Sequence, residues 1–391
     1  MDRPKTKASQ NVHPASPNLA SDATAFLDAH LAPGWQVMHV FTADCSPRTY
    51  ARIRLAKPLL AESPPLPPRA LDTVLLMDTG RLEAPGETTE NAAFLSNFLR
   101  ACGLYAPRTV AVLPEKGFLL QEDFGDILMK AFLEKSETPF WQHGLWGQAL
   151  DTLQDLIIES HAFFAKPKTQ AQHPFVQSLP PLDSTVLGAE VDAFLDFGLP
   201  FVGINLSDAD KAQARALWKN ELHAAQKPDH LCVLSLRDVH TENLMLVPAE
   251  ADAENARPFH IGLIDYQDAL WGHPAYDLVS LLQDARVPFD AAASENYKTM
   301  FMERLFKNWA GAPLNADAFQ NAYYLLGLQR AIKIFGVFCR LAMRDNMPQK
   351  LPYLRGILPI IEHNMDVLGD NALTRWVRGL NLARHLDAKG V

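Results

Sequence analysis

Apolar residues in the first third of the chain follow the spacing of strands and short helices. Residues 35–41 and 50–55 alternate with a period of two and residues 73–78 form a short apolar run, so each predicts a strand. Residues 23–31 and 90–102 have the three-to-four spacing of amphipathic helices. This region therefore predicts a small mixed domain built on an antiparallel sheet.

Two connections in this region carry predictions of their own. The proline-rich stretch 61–69 predicts a stiff loop between two strands. Residues 117–126 begin as an apolar strand and pass into an acidic turn, after which a helix capped by Asp126 is predicted.

Helical spacing dominates the rest of the chain, with a predicted hairpin at 243–248 and 259–264 as the exception. Helices are predicted over 139–165, 190–197, 316–344 and 354–368. The fold class is therefore α+β, with a small N-terminal antiparallel-sheet lobe and a larger, mainly helical C-terminal lobe. The predicted boundaries are a disordered tail at 1–22, an N-terminal lobe at 23–123 and a C-terminal lobe at 124–391.

The amino-acid composition and net charge argue against some classes of binding partner. The 391 residues are 48% hydrophobic and 21% charged, which suits full-sized cores, and the net charge of -9 argues against nucleic acid or an anionic membrane as the main partner. Residues 1–22 lack the apolar centre of a secretory signal, and no apolar run is long enough to span a membrane. Four widely spaced cysteines without a C-x-x-C pair favour reduced thiols. We expect a cytoplasmic enzyme, as a monomer or weak dimer.

The strongest chemical signal is the spacing of Asp238, Asn243 and Asp265. Asn243 enters the predicted hairpin and Asp265 leaves it, so the two side chains can converge on one cation. Oxygen ligands of this kind suit Mg²⁺, and a nearby aspartate can accept the proton of an attacking hydroxyl. The pattern predicts phosphoryl transfer, with Asp238 catalytic and with Asn243 and Asp265 holding metal.

The short sequence motifs around these residues resemble those of a known family. Arg237-Asp238-x4-Asn243, Ile264-Asp265 and Gly272-x-Pro274-x2-Asp277-Leu278 resemble the aminoglycoside/choline phosphotransferase family, which has a protein-kinase-like fold. The likeness is greatest to its bacterial N-acetylmuramate/N-acetylglucosamine anomeric kinases of cell-wall recycling. The resemblance implies a two-lobed kinase that uses ATP and Mg²⁺.

The resemblance also implies a nucleotide site. The polar turn 42–49 matches the family's nucleotide-covering loop, and residues 122–124 match the hinge whose backbone meets adenine. The ATP-binding residues implied are Asp44, Ser46, Arg48, Arg52, Glu122, Asp123 and Phe124.

The residues predicted to bind the acceptor are His240, Glu190, Asp192 and Arg330. The resemblance also implies a structural role for Arg237 and Asp277, which would brace the loop that carries Asp238. Arg330 lies in a basic stretch of the helix at 316–344. Fixed positive charge suits a substrate with a carboxylate and disfavours a polycation. We therefore expect an amino sugar in preference to choline or an aminoglycoside, which remain the alternatives.

Three departures from the family's pattern keep other functions open. Leu236 stands where the family has histidine, residues 73–78 contain no phosphate-binding lysine, and the turn at 42–49 has no glycine. A nucleotide-binding regulatory protein without turnover is one alternative. Apart from these departures, a zinc hydrolase is a second alternative, although the D-x4-N spacing has no use in it; its cluster would comprise Asp238, His240, Asp265, Asp268 and His273.

Overall fold

The computed structural model describes residues 19–42, 48–63, 66–80, 88–166, 174–249 and 258–390. The chain forms two compact units. The first comprises residues up to 100 together with 107–123, and the second comprises 101–106 together with the chain from 124 onward.

The first unit is built on a five-stranded antiparallel sheet. Its strands are β1 (Gln36–Thr42), β2 (Thr49–Ser63), β3 (Leu66–Asp78), β4 (Thr109–Leu113) and β5 (Phe118–Glu122), in the order β1-β2-β3-β5-β4. Helices α1 (Ser21–His30) and α2 (Thr89–Ala101) accompany it. Phe26 and Leu27 of α1 are buried together with Ile53, Val74 and Leu120 of the sheet. The strands and helices predicted in this region are confirmed.

The prediction of a loop over 61–69 is wrong. β2 continues to Ser63 and β3 already begins at Leu66, with Leu59 paired to Leu71 and Ala61 to Arg69. The pairing of β1 with β2 ends at Arg54, and that of β5 with β3 begins at Val74. The extension is thus a ribbon of two strands.

The second unit is mainly helical. Its helices are α3 (Met129–Lys135), α4 (Leu145–Phe164), α5 (Pro174–Gln177), α6 (Ser184–Glu190), α7 (Leu199–Phe201), α8 (Asp208–Ala225), α9 (Ala275–Leu282), α10 (Ala291–Asn308), α11 (Ala316–Met343), α12 (Leu354–Leu368), α13 (Ala372–Gly379) and α14 (Leu382–Lys389). Two small antiparallel pairs complete it: β6 (Val233–Ser235) with β9 (Leu270–Gly272), and β7 (Leu244–Pro248) with β8 (Phe259–Leu263). None of the described helices is long and apolar enough to cross a membrane.

Helix α11 is the centre of the second unit, because α9, α12 and the π-helical turn Phe194–Gly198 all pack on it. The turn approaches α11 at Gly336, where a Cβ atom would lie 2.2 Å from the backbone nitrogen of Phe194. Only glycine fits such a contact. The close approach sets the distance between α11 and the chain that leaves α6.

Three predicted helix boundaries are wrong. Helix α3 begins at Met129 with Leu128 as its N-cap, so Asp126 is not the capping residue. Gly125 has a φ of +86°, and the Ile127 carbonyl accepts a hydrogen bond from the backbone N–H of Leu246. Residue 127 therefore pairs with β7, and the helix starts after it. The helix predicted from residue 139 begins at Leu145, after a 3₁₀ turn at Phe140–Gln142. The helix predicted over 190–197 is divided between the end of α6 and the π-helical turn.

Candidate active site

The loop between β6 and β7 carries Asp238 and ends at Asn243. The Asn243 side-chain amide donates to the main-chain carbonyl of Asp238 at 3.0 Å and lies 3.4 Å from the Asp265 carboxylate. Asp265 follows β8, the hairpin partner of β7, and this pairing brings the two ends together. The three residues singled out by their spacing therefore meet at one place in the second unit.

Asp277, on α9, holds the start of this loop. Its carboxylate accepts from the backbone N–H groups of Leu236 at 2.7 Å and Arg237 at 2.9 Å, and from the Ser235 hydroxyl at 3.0 Å. Arg237 has a φ of +72°, a strained conformation for a residue with a side chain. Burial raises the pKa of Asp277 to about 6, against the lowering effect of these donors. The strained loop is therefore fixed by backbone hydrogen bonds that do not involve residue 236's side chain.

Arg330, on α11, contacts the same loop directly. Its guanidinium donates to the Asp238 carboxylate at 2.9 Å and to the Arg237 carbonyl at 2.8 Å. Arg330 is 2% exposed, whereas the Asp238 side chain is 39% exposed. Burial acts to raise the pKa of Asp238, but the charges of Arg330 and Lys333 outweigh it and hold that pKa well below its usual range. Asp238 is therefore an ionised acceptor.

Glu190 lies beside this pair, at the end of α6. Its carboxylate accepts from Arg237 at 2.5 Å, from Lys333 at 2.8 Å and from Gln329 at 3.2 Å. Burial opposes ionisation, yet the two cations lower the pKa of Glu190 below its ordinary value. Two positive side chains thus share one carboxylate next to Asp238.

Asp192 and His240, the other two residues predicted to bind the acceptor, lie in different surroundings from each other. Asp192 pairs with Arg215 of α8 at 2.6 Å, away from the loop that carries Asp238. His240 is 5% exposed, and burial together with the Arg286 charge lowers its pKa to about 4. His240 is therefore a buried, uncharged group, and Asp192 belongs to a surface ion pair.

The oxygen atoms near Asn243 and Asp265 fit a magnesium ion. Asp265 has a φ of +60° and accepts from the Gln267 side chain at 2.8 Å, which orients its carboxylate. Mg²⁺ is held in kinase-like sites by one or two protein oxygens, with phosphate oxygens and water at its other positions. Among the described residues no three of His, Cys, Asp and Glu cluster as metal ligands. A catalytic zinc ion takes three protein ligands from nitrogen-rich sets, whereas Asn243 and Asp265 offer an amide and a carboxylate oxygen, donors that suit Mg²⁺.

The residues predicted to bind nucleotide lie mostly in the first unit. Asp44 and Ser46 fall outside the described residues, and Arg48 is 9% exposed.

The charged side chains of the hinge at 122–123 form ion pairs. Arg52 forms an ion pair with Asp123 at 2.7 Å, and the buried Glu122 carboxylate pairs with Arg69 at 3.2 Å and Arg100 at 3.3 Å. Phe124 belongs to the second unit, where it packs with Met245 and Val247. The charged hinge side chains thus already have partners, and any contact to adenine falls to the main chain.

Three contributors to this site were not among the predicted site residues. Gln267 is one of them, and its position two residues after Asp265, the predicted metal ligand, is the only local signal for it. Lys130, on α3, pairs with Glu242 of the catalytic loop at 2.8 Å, and Arg286 pairs with Glu242 at 3.1 Å. These two contacts join distant segments, so spacing along the chain does not reveal them.

Comparison with known proteins agrees with the geometry. A family model described as the phosphotransferase enzyme family matches residues 37–312. The chain is 28% identical over 330 residues to the N-acetylmuramate/N-acetylglucosamine kinase of Caulobacter vibrioides, covering 80% of this chain and 83% of that one. It is 27% identical over 270 residues to the protein of the same name from Pseudomonas putida, covering 68% and 70%.

Solved structures share the fold at low sequence identity. The amicoumacin kinase hAmiN in complex with AMP-PNP, Ca²⁺ and Ami matches with a TM-score of 0.54 and 14% identity, covering 88% of this chain and 94% of that one. The gentamicin–APH(2")-IIa complex matches with a TM-score of 0.51 and 12% identity, covering 91% and 98%. The predicted α+β, protein-kinase-like fold is confirmed.

Proposed function

The chain belongs to the phosphotransferase enzyme family, since that family's model matches residues 37–312, and from this premise we propose that it transfers the γ-phosphoryl group of MgATP to an amino sugar. The proposed acceptors are N-acetylmuramate and N-acetylglucosamine, phosphorylated at the anomeric hydroxyl. Relatives named as kinases of these two sugars share about 28% identity over most of the chain, which supports this choice.

One observation carries the proposal: an ionised, partly exposed aspartate lies beside a pair of magnesium-type ligands. Asp238 accepts a hydrogen bond from Arg330, and its main-chain carbonyl is held by Asn243, which in turn meets Asp265. A hydroxyl that reaches the exposed face of Asp238 would donate its hydrogen bond there, next to the residues that would hold Mg²⁺ with the nucleotide phosphates. This is the arrangement that phosphoryl transfer requires.

Each residue has a distinct task in this mechanism. Asp238 orients the sugar hydroxyl and accepts its proton as the sugar oxygen attacks the γ-phosphorus, and the bond from that phosphorus to the bridging oxygen of ATP breaks so that ADP leaves. Asn243 and Asp265 would hold Mg²⁺, which neutralises charge on the phosphates when bound. Asp277 holds the loop that carries Asp238, through the N–H groups of residues 236 and 237.

The surroundings of Asp238 support an anionic acceptor over a cationic one. Arg237 and Lys333 share the single carboxylate of Glu190, and Arg330 is paired with Asp238 itself. At Glu190 two cations therefore share one carboxylate, which leaves a local excess of positive charge next to Asp238. Choline and aminoglycosides are cations, so this wall disfavours them, whereas the carboxylate of N-acetylmuramate suits it.

A kinase assay across acceptors tests the proposal. The full chain with MgATP is incubated with N-acetylmuramate, N-acetylglucosamine, choline or kanamycin, ADP release is followed, and the phosphorylated position is read by NMR. We expect phosphorylation of the two sugars at C1. Transfer to kanamycin or choline with none to either sugar would replace the acceptor class and keep the kinase chemistry. Nucleotide binding with no transfer to any of the four would favour a regulatory protein without turnover.

A further inference from the structure

We infer that Arg330 is a positioning residue for the transfer reaction: it holds the Asp238 carboxylate and the preceding peptide in the orientation that receives the acceptor's hydroxyl. The inference rests on the proposed function, in which Asp238 is the acceptor of that proton. Arg330 is separated from Asp238 by 92 residues and reaches it from α11, the central helix of the second unit.

The first step of the argument is the two-point contact. One terminal nitrogen of Arg330 donates to the Asp238 carboxylate at 2.9 Å, and the other donates to the carbonyl of Arg237 at 2.8 Å. A planar guanidinium fixes the two acceptors relative to each other, since its donors form a rigid fork. The side chain and the backbone of the loop are therefore held as one body.

The second step is that the peptide of residue 237 is gripped at both polar groups. Asp277 accepts from its N–H at 2.9 Å, while Arg330 donates to its carbonyl. The φ of +72° at Arg237 is unfavourable without such contacts. The family's histidine would have stood at Leu236, and the contacts from α9 and α11 fix the loop without it.

The third step is the cost of placing a cation here. Arg330 is 2% exposed, and its Nε atom has no hydrogen-bond partner among the described residues. A buried charge is expensive, and an apolar residue of similar volume is often no less stabilising. Stability alone therefore gives little reason for arginine at this position, whereas precise placement of Asp238 requires a donor with this geometry.

Direct contact with the acceptor is the rival role for Arg330. Both terminal nitrogens already donate to the loop, and the side chain is buried beneath the more exposed Asp238 carboxylate. Arg330 is thus placed to act through Asp238. The two roles differ in kinetics, because an anchor for the acceptor changes KM and a positioning residue changes kcat.

The experiment compares Arg330→Met, Arg330→Gln and Arg330→Lys with the wild-type chain. Steady-state kcat and both KM values, for MgATP and for the acceptor, are measured for each variant, and thermal melts establish which variants are folded. Arg304→Met is the matched control, since it removes an exposed arginine of α10 that pairs with Asp151 of α4.

We expect Arg330→Met and Arg330→Gln to lower kcat by about 10- to 100-fold, the usual cost of misplacing a reacting group. Both KM values should stay within about twofold of the wild type. Arg330→Lys, which keeps the charge and one donor, should recover about tenfold of the lost kcat, and Arg304→Met should match the wild type. If Arg330→Met does not fold, the comparison of Gln with Lys carries the same test.

Three results would overturn the inference. These are an unchanged kcat in the neutral variants, a raised acceptor KM with kcat intact, and a Lys variant no better than the Gln variant when both are folded. Failure of the proposed function looks different, because the wild-type chain itself would then phosphorylate neither sugar. If it phosphorylates another acceptor, the same comparison of kcat and KM is made with that acceptor.

Discussion

The side-chain amide of Asn243 lies 3.4 Å from a carboxylate oxygen of Asp265, across the two ends of one hairpin. The pairing of β7 with β8 is sufficient to produce this proximity, since Leu244 is opposite Leu263 in the register. Gln267 then fixes the Asp265 carboxylate from the other side at 2.8 Å. The proposed metal site is thus a local structure, whereas its position relative to Asp238 depends on the loop between β6 and β7.

Replacing Asp265 tests the metal assignment. Asp265→Ala removes a charged ligand, and we expect it to abolish the gain in nucleotide affinity that Mg²⁺ gives, while the affinity measured without metal changes little. Calorimetry with ATP, with and without Mg²⁺, measures both. Asp366→Ala, which removes an exposed partner of Arg378, is the control. An Asp265→Ala chain that still gains affinity from Mg²⁺ would contradict the role.

Replacing Asp238 tests the proton acceptor. Asp238→Asn keeps the shape of the side chain and removes its charge, so turnover should fall by about 10²- to 10⁴-fold, as when a general base is lost. Nucleotide affinity should be nearly unchanged, because the metal ligands stay in place. Steady-state kinetics with the preferred sugar and calorimetry with MgATP measure the two effects. Wild-type turnover in this variant would exclude Asp238 as the acceptor of the proton.

Adding one methyl group at Gly336 tests the packing that places Glu190. The Cβ of Gly336→Ala would lie 2.2 Å from the Phe194 nitrogen, so the backbone must move, at a cost of about 1–3 kcal/mol in the free energy of unfolding. Urea denaturation measures this cost. Gly147→Ala is the matched control, because nothing lies within 4 Å of its added Cβ. That variant should be neutral or slightly stabilised, and equal stability of the two variants would refute the steric argument.

Buried His273 predicts a dependence of stability on pH. The residue is 1% exposed, and burial and the neighbouring His230 charge lower its pKa from 6.5 to about 3. The folded pKa lies below the unfolded value, so this contribution to stability is fully present above pH 6.5. It is lost as pH falls towards 3, because the unfolded chain binds the proton first. Between pH 7.5 and 5.5 the loss should be about 1.4 kcal/mol.

His273→Asn isolates that contribution. The His273 ring accepts from the backbone N–H of Ala275 at 3.1 Å, and an asparagine oxygen can take over this acceptor role. Urea unfolding at pH 7.5 and 5.5 should show a smaller fall in stability for the variant than for the wild type, by about 1.4 kcal/mol. An identical pH dependence in both chains would show that His273 is not the group that titrates.

Much of this protein was predictable from the sequence, for a local reason. The β7–β8 hairpin, the helices α11 and α12 and the spacing of Asp238 with Asn243 and Asp265 are properties of short segments, in which apolar periodicity and residue order determine the outcome. The resemblance to the family rests on the same short sequence motifs. These features follow from interactions between residues that are near each other in the chain.

Only the tertiary structure decided the rest. The proline-rich stretch contributes to two strands because β2 and β3 pair with each other beyond the ends of their pairing with β1 and β5. Asp126 does not begin a helix because residue 127 pairs with β7. Arg330 pairs with Asp238 across 92 residues, so its placement beneath the catalytic loop depends on how α11 packs against α9. Contacts of this kind leave no periodic mark in the sequence, because each depends on two segments that meet only when the core has formed.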